Sequence, residues 1–367
     1  MPAVTRLRRA LSWSVVVPLA ATIVLALAWG RELTGLPVIV VTALLVGAVL
    51  SAVHHAEVVA HHVGEPLGSL VLAVAVTVIE VGLIVTLMVG GGEKAQSLAR
   101  DTVFAAVMIT CNGIVGLSLL VGAFRQNVVS FHAEGSGGAL ATVATLTTLS
   151  LVLPTFTSTT PGPEFAPAQL AFAAVTSLAL YVVFVTLQTG RHRDYFLPPV
   201  ASGLVADAEH HAARPEASTA LWSLLLLLVA LTAVIGNAKL VSPTIEGAVI
   251  AAGLPESVVG MIIALVVLLP ETLAAARAAH RDRMQTSLNL AFGSAIASIG
   301  LTIPVIAVAS IWLPGPLLLG LDAVHIVLFF LTIVIATLTV VPLRATLLQA
   351  GVHLSVLAAF LFLALVP

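Results

Sequence analysis

Apolar stretches of roughly twenty residues, cut by Gly/Pro clusters and short charged segments, recur along the whole chain. A helix needs about 20 mostly apolar residues to cross a bilayer. On that basis the pattern predicts eleven spans, near 11–29, 36–60, 66–90, 101–124, 138–155, 166–188, 220–238, 243–276, 285–312, 318–341 and 346–366. The eighth is interrupted, because Pro255 and Pro270 each remove a backbone donor and break the helix, and its start falls anywhere from 245 to 257. Within the runs, as in 221–235, apolar residues are continuous and do not alternate with polar ones, which excludes the strands of an outer-membrane barrel. The expected fold class is an all-α polytopic membrane protein of about 11 transmembrane helices.

Composition sharpens this reading. Of 367 residues, 59% are apolar and only 9% charged, against about a quarter charged in soluble domains, and the mean hydropathy is +1.14. The chain lacks the polar surface of a soluble domain or a disordered segment. A net charge of −2 argues against a nucleic-acid partner. One cysteine, Cys111, allows neither a disulfide framework nor a cysteine zinc site. Arg6, Arg8 and Arg9 precede the first span, as in a secretory signal, but its apolar stretch is longer than a signal core, so it is read as a retained helix. With the N-terminus in the cytoplasm, eleven of the fifteen Lys and Arg residues fall on the cytoplasmic side, as the positive-inside rule requires. The C-terminus then lies outside. Thirteen arginines against two lysines, with short loops, fit a bacterial cytoplasmic membrane.

The chain also repeats itself. Laying 65–80 over 256–271 without a gap pairs Glu65 with Glu256, Ala73 with Ala264 and Glu80 with Glu271; the following spans pair Thr110 with Ser294 and Gly116 with Gly300. An odd number of spans makes the second unit enter the membrane from the opposite face. The expected organisation is a peripheral first helix (1–35), a five-helix unit (36–190), a cytoplasmic linker rich in His and acids (191–219) and a second, inverted five-helix unit (220–367). Inverted repeats with polar, Gly/Pro-interrupted segments mark secondary transporters whose site lies near the bilayer midplane.

Glu80 is the only charge in the run 67–89, and a carboxylate at the bilayer centre costs on the order of 3 kcal/mol or more. Glu271 is placed alike. Thr77 stands one turn before Glu80 on the same face, and Pro270 has no N–H to engage the carbonyl of Val266. Thr110, Asn112, Asn289, Ser294 and Ser298 come from the spans that follow the two acids. Carboxylates, hydroxyls, amides and bare carbonyls are hard ligands that suit Ca2+, Na+ or Mg2+. Ser and Thr also bond back to their own helices, so for each hydroxyl both roles stay open.

The stretch Leu288-Asn289-Leu290-Ala291-Phe292-Gly293-Ser294-Ala295 resembles a signature of the calcium/cation antiporter superfamily, and Cys111-Asn112 is similar to the Ser-Asn of its partner signature. The spacing from Gly64-Glu65-Pro66 to Glu80 also matches, and over its whole length the chain looks like a bacterial calcium/proton antiporter of the cation/proton exchanger branch. The resemblance implies ten core helices in two inverted repeats plus one peripheral helix. By it, Glu80 and Glu271 are the exchange acids, and Asn112 and Ser294 direct ion ligands. It also implies exchange of cytoplasmic Ca2+ for external protons. Val76-Thr77-Val78-Ile79 and Val267-Leu268-Leu269-Pro270 replace the family's usual amide-bearing segments, which leaves Na+ or K+ as alternative ions.

His54, Glu57 and His61 share a helical face at i, i+3 and i+7. They are candidates for pH sensing or a zinc site, against the plain reading of a solvated helix end. Glu65 and Glu256 stand at paired span entrances, where they would guide cations. The expected partners are inorganic cations, protons and lipid, with room for a homo-oligomer, and no cofactor beyond the transported ion. A cation channel is the rival from another class; no nucleophile elbow or HExxH points to an intramembrane enzyme.

Overall fold

The computed structural model describes residues 12–31, 33–64, 67–91, 96–197, 215–255, 257–313 and 315–366. Glu65, Glu256, the arginines ahead of the first helix and most of the 191–219 linker lie outside the described residues. The helices are α1 (Trp13–Ala28), α2 (Leu36–Val63), α3 (Leu67–Gly91), α4 (Leu98–Gln126), α5 (Ala133–Thr155) and α6 (Pro167–Gly190). They continue as α7 (Ala217–Ala251), α8 (Ser257–Val267), α9 (Leu269–His280), α10 (Met284–Ala309), α11 (Ala323–Val340) and α12 (Leu347–Leu365). Among the described residues nine are long and apolar enough to cross a bilayer, and α8 with α9 makes a tenth span, bent by 49°. α1 has 16 residues, about 24 Å at 1.5 Å per residue, short of the ~30 Å hydrocarbon layer.

Each predicted span meets an element, with one redistribution. The eighth span is predicted from near 243 with its start open up to 257; α7 runs unbroken through Pro243 to Ala251, and α8 starts at Ser257. A helix of 35 residues is about 52 Å long, so its last turns extend past the apolar layer. Polar residues serve those turns. Ser242 donates to Glu246 (2.5 Å) and Thr244 to the carbonyl of Leu33 (3.0 Å). The break inside the span falls at Leu268, just ahead of Pro270.

Short contacts tie the two ends of the bundle. At one end β1 (Val128–Ser130) pairs antiparallel with β2 (Arg344–Thr346), Val129 facing Ala345, and His62 Nδ1 meets the Pro215 carbonyl at 2.7 Å. Arg125 contacts His280 there too, at 3.4 Å. At the other end the Arg100 guanidinium donates to Gly320 O (3.2 Å) and Thr155 to Leu321 O (2.6 Å). α1 is docked by its own proline. Pro18 has no N–H for the Ser14 carbonyl, which instead accepts from Ser51 (2.6 Å) and from His55 Nε2 (2.8 Å).

The centre is crossed. α3 packs on α10, while α8 and α9 pack on α4; α6 also lies on α10, and α12 on α4. Each acid-bearing segment thus rests on the third span of the other five-helix unit, as a two-fold relation between the units requires. Close approach depends on glycine at Gly300, where an added Cβ would stand 2.8 Å from Cβ of Tyr181. Gly300→Val should therefore destabilise by about 1–3 kcal/mol. It is expected to lower the unfolding midpoint in detergent, whereas Gly293→Ala, with nothing within 4 Å of its Cβ, should leave that midpoint near wild type.

Candidate functional site

α3 is an uninterrupted, largely apolar helix and carries Glu80 to mid-length, where the residue is 3% exposed. Its Oε1 accepts a hydrogen bond from Ser298 of α10 at 2.6 Å. Glu271 arrives differently. The bend at Leu268 starts a new helix, and Glu271 sits in the first turn of α9, where the free N–H groups and the helix dipole favour negative charge. A straight span would have buried those N–H groups in helix bonds. The break thus supplies polarity to a carboxyl in an apolar layer.

Both acids line one cavity of ≈ 160 Å³. Thr77, Ser294, Ser298 and Asn289 line it with them, and α6 adds Tyr181 and Gln188. The Asn289 amide is partly engaged: Nδ2 donates to Phe196 O (2.6 Å) and Oδ1 accepts from Gln285 (2.9 Å). From Glu80 and Glu271 the cavity follows α3 back towards Leu72 and α10 back towards Asn289, that is, to the end carrying the β1–β2 ribbon.

Thr110 and Asn112 are placed elsewhere. Thr110 donates to its own helix, to Ala106 O (2.7 Å) and Val107 O (3.0 Å). Asn112 lies in a wide turn of α4 (Ile109–Ile114). Its Nδ2 donates to Thr332 of α11 at 2.9 Å, and its Oδ1 faces Nδ1 of His353 of α12 at 3.3 Å. On α2, His54 and Glu57 and the later His61 are exposed, with the His54 ring 5.8 Å from that of Trp13. Among the described residues no three His, Cys, Asp or Glu side chains converge on a metal position. The zinc reading of His54, Glu57 and His61 is therefore corrected: one shared face does not make three side chains meet at a point.

Unmet polar atoms surround the two acids. Oε2 of Glu271 and the hydroxyls of Tyr181 and Thr302 are buried without a hydrogen-bond partner. Each such atom costs about 1–3 kcal/mol when left unsatisfied, and a cation or a proton in the cavity would relieve Glu271 directly. Tyr181, Gln188 and Thr302 were not singled out from sequence. Thr302 had a signal, since Ser294, Ser298 and Thr302 follow at intervals of four along one face of α10. Tyr181 and Gln188 had none, because nothing in an apolar run tells which face of α6 meets α10.

The chain is similar to known proteins over nearly its whole length. The family described as sodium/calcium exchanger protein matches residues 34–190 and 222–366. A putative ionic transporter, y4hA, from Sinorhizobium fredii is 43% identical over 358 residues, covering 97% of this chain and 96% of that protein. The sodium-potassium/proton antiporter ChaA of Escherichia coli is 33% identical over 353 residues, 95% of this chain and 94% of that protein. Among solved structures, native YfkE superposes with a TM-score of 0.72 at 15% identity, covering 97% of this chain and 99% of that one; it is described as a Ca2+/H+ antiporter protein. At that identity the likeness bears on the fold.

The Ser298 hydroxyl donates to Glu80, and a hydrogen bond to a charged group contributes about 1.5–3 kcal/mol. Ser298→Ala is expected to raise the half-saturating cation concentration by at least roughly tenfold. Initial rates of exchange at graded cation concentrations in reconstituted vesicles would measure this.

Proposed function

We propose that this chain, which belongs to the sodium/calcium exchanger protein family, is a cation/proton antiporter whose Glu80 and Glu271 hold either a cation or protons. The observation that carries the proposal is the shared cavity: two carboxyls on separate helices open onto one small space, and one of their oxygens is unmatched. Two ionised carboxylates in a poorly solvated space repel each other and lose hydration. One Ca2+ neutralises the pair, and so do two protons. The loaded forms can change access across the membrane, and the empty, doubly charged form cannot. Cation and protons then compete for the same oxygens, which couples their movements in opposite directions.

Ca2+ is the ion that the charge balance supports ahead of Na+ or K+, because a single divalent ion cancels both carboxylates. Cytoplasmic Ca2+ would leave in exchange for external protons, with the N-terminus inside a bacterial cytoplasmic membrane, as the arginine distribution supports. A second reading is favoured by the 33% identity to a sodium-potassium/proton antiporter over nearly the whole chain. Na+ or K+ would bind with one carboxylate ionised and the other protonated, so monovalent exchange would move fewer protons per turnover. Glu65 and Glu256 as cation guides remain part of the proposal.

Glu80→Gln and Glu271→Gln should each abolish pH-gradient-driven cation uptake in inside-out vesicles while the protein still reaches the membrane. Uptake at the wild-type rate in both variants would overturn the assignment. Adding Ca2+ to purified protein in weak buffer should release protons, and Na+ or K+ should release fewer. Competition among the three ions for uptake separates the two readings.

A further inference from the structure

The tryptophans lie at two levels. Trp13 and Trp222 stand near the starts of α1 and α7, and Trp29 and Trp312 just past the ends of α1 and α10. All four are more than half exposed, as aromatic residues are in the two interfacial belts of a membrane protein. Along α7, Ala217 to Lys239 spans about 33 Å, against the ~30 Å of the hydrocarbon layer. Lys239 therefore reaches the level of Trp29, and its ammonium lies 5.5 Å from the centre of the Trp29 ring.

That level holds a cavity of ≈ 580 Å³, within the size range of small-molecule sites. Trp29, Arg31 and Thr34 line it from the turn between α1 and α2, and Lys239, Pro243 and Thr244 line it from α7. The turn is pinned to α7. Thr244 donates to the Leu33 carbonyl at 3.0 Å, and deeper in the layer Asn237 donates to Ala21 O of α1 at 3.1 Å.

The charge of the cavity is unanswered. The arginine distribution assigns four cations to this end of the bundle: Arg31, Lys94, Arg100 and Lys239. Lys94 lies outside the described residues. Arg100 is paired with Asp101 at 2.8 Å and also donates to Gly320 O. Arg31 and Lys239 instead share the cavity, and among the described residues no carboxylate comes within ion-pair distance of either. Glu246, two turns beyond Lys239, is engaged by Ser242 and does not line the cavity. Two like charges held together, at a face that the positive-inside rule keeps poor in Lys and Arg, call for an anion. At the tryptophan level of a bilayer the abundant anion is lipid phosphate. A guanidinium binds phosphate through paired N–H groups and an ammonium binds it as a point charge, while Leu33 and Leu240 offer apolar wall to the chains beneath.

We propose that this cavity binds the headgroup of an anionic phospholipid, with Arg31 and Lys239 on its phosphate, and that the bound lipid clamps the α1–α2 turn onto α7. A zwitterionic headgroup carries its own ammonium, which the two cations would repel, so the site selects a net negative lipid. The inference is independent of exchange at Glu80 and Glu271.

Titration with lipid tests this on the full chain, purified in nonionic detergent and stripped of lipid. Phosphatidylglycerol added in mixed micelles should raise the unfolding midpoint. The Arg31→Gln/Lys239→Gln double variant should need at least roughly tenfold more phosphatidylglycerol for half of that rise, and native mass spectrometry should show it retaining one lipid fewer. Each single variant should fall between it and wild type. The exchanged pair Arg31→Lys/Lys239→Arg, which keeps both charges, should respond as wild type, and so should Arg125→Gln at the opposite end of the bundle. Because both side chains are exposed, the lipid-free midpoint of the double variant should match wild type and so report that it is folded. The proposal fails if the double variant answers phosphatidylglycerol as wild type does, or if phosphatidylcholine of the same chains raises the midpoint equally. It also fails if inorganic phosphate at the same concentration reproduces the rise, since the cavity would then hold a free anion and not a lipid.

Discussion

Two carboxyl groups held in one small, poorly hydrated space are the constraint from which the other features follow. Glu80 is the only charge on its helix and Glu271 stands a turn and a half before the first basic residue of its own, and they meet at a cavity with little room for water. Like charges so placed cannot both remain bare at low cost. Each acid is given a different partial remedy. Glu80 takes the Ser298 hydroxyl from the opposite unit, and Glu271 takes the start of a helix created by the Leu268–Pro270 break. Neither remedy removes the shared negative charge, so the site keeps its demand for positive charge.

The surrounding structure makes that demand specific. Glycines at the crossing points bring α6 against α10 and α12 against α4 without intervening side chains. Their approach turns two long apolar helices into walls whose few polar groups face inward. Asn289, tied to Phe196 and Gln285, is held in place and contributes a fixed dipole. Tyr181 and Thr302, whose hydroxyls lack partners, leave the site under-satisfied when it is empty. An under-satisfied site is what lets an ion bind and then leave, because an occupant relieves a cost and does not have to displace an existing bond.

The two units are related in sequence but unequal in conformation. Both acids line one cavity, but Leu72 and Val76 of its wall are half-buried while their counterparts Ile263 and Val267 are buried. Asn112 illustrates the inequality: it is bonded to Thr332 and His353, both from the second unit. An inverted pair of similar units has two arrangements of comparable energy, each the near mirror of the other in which end is open. Gradients of ions and protons then need to bias only a small difference.

Much of this was legible from residue order. The spans could be read because lipid tolerates only continuous apolar helices with internally satisfied backbones. Glu80 could be read because nothing else charged shares its run, and Glu271 because it sits at one offset from Glu80 together with matched small residues. The start of the eighth span, read as falling between 245 and 257, lies at Ser257, but the run of the seventh span on to Ala251 was not legible, since polar residues that extend a helix beyond the membrane look the same as those that stop it. What residue order did not decide was which faces meet. Thr110, Asn112, Ser294 and Ser298 are equally polar in sequence, yet Ser294 and Ser298 face the cavity while Thr110 bonds to its own helix and Asn112 turns to α11 and α12. His54, Glu57 and His61 share a face without converging. In a chain this apolar, periodicity says little about rotation, because every face of a helix is greasy enough for lipid. Rotation is settled by helix-to-helix contact at small residues such as Gly116 and Gly300, and that is a property of the packed bundle alone.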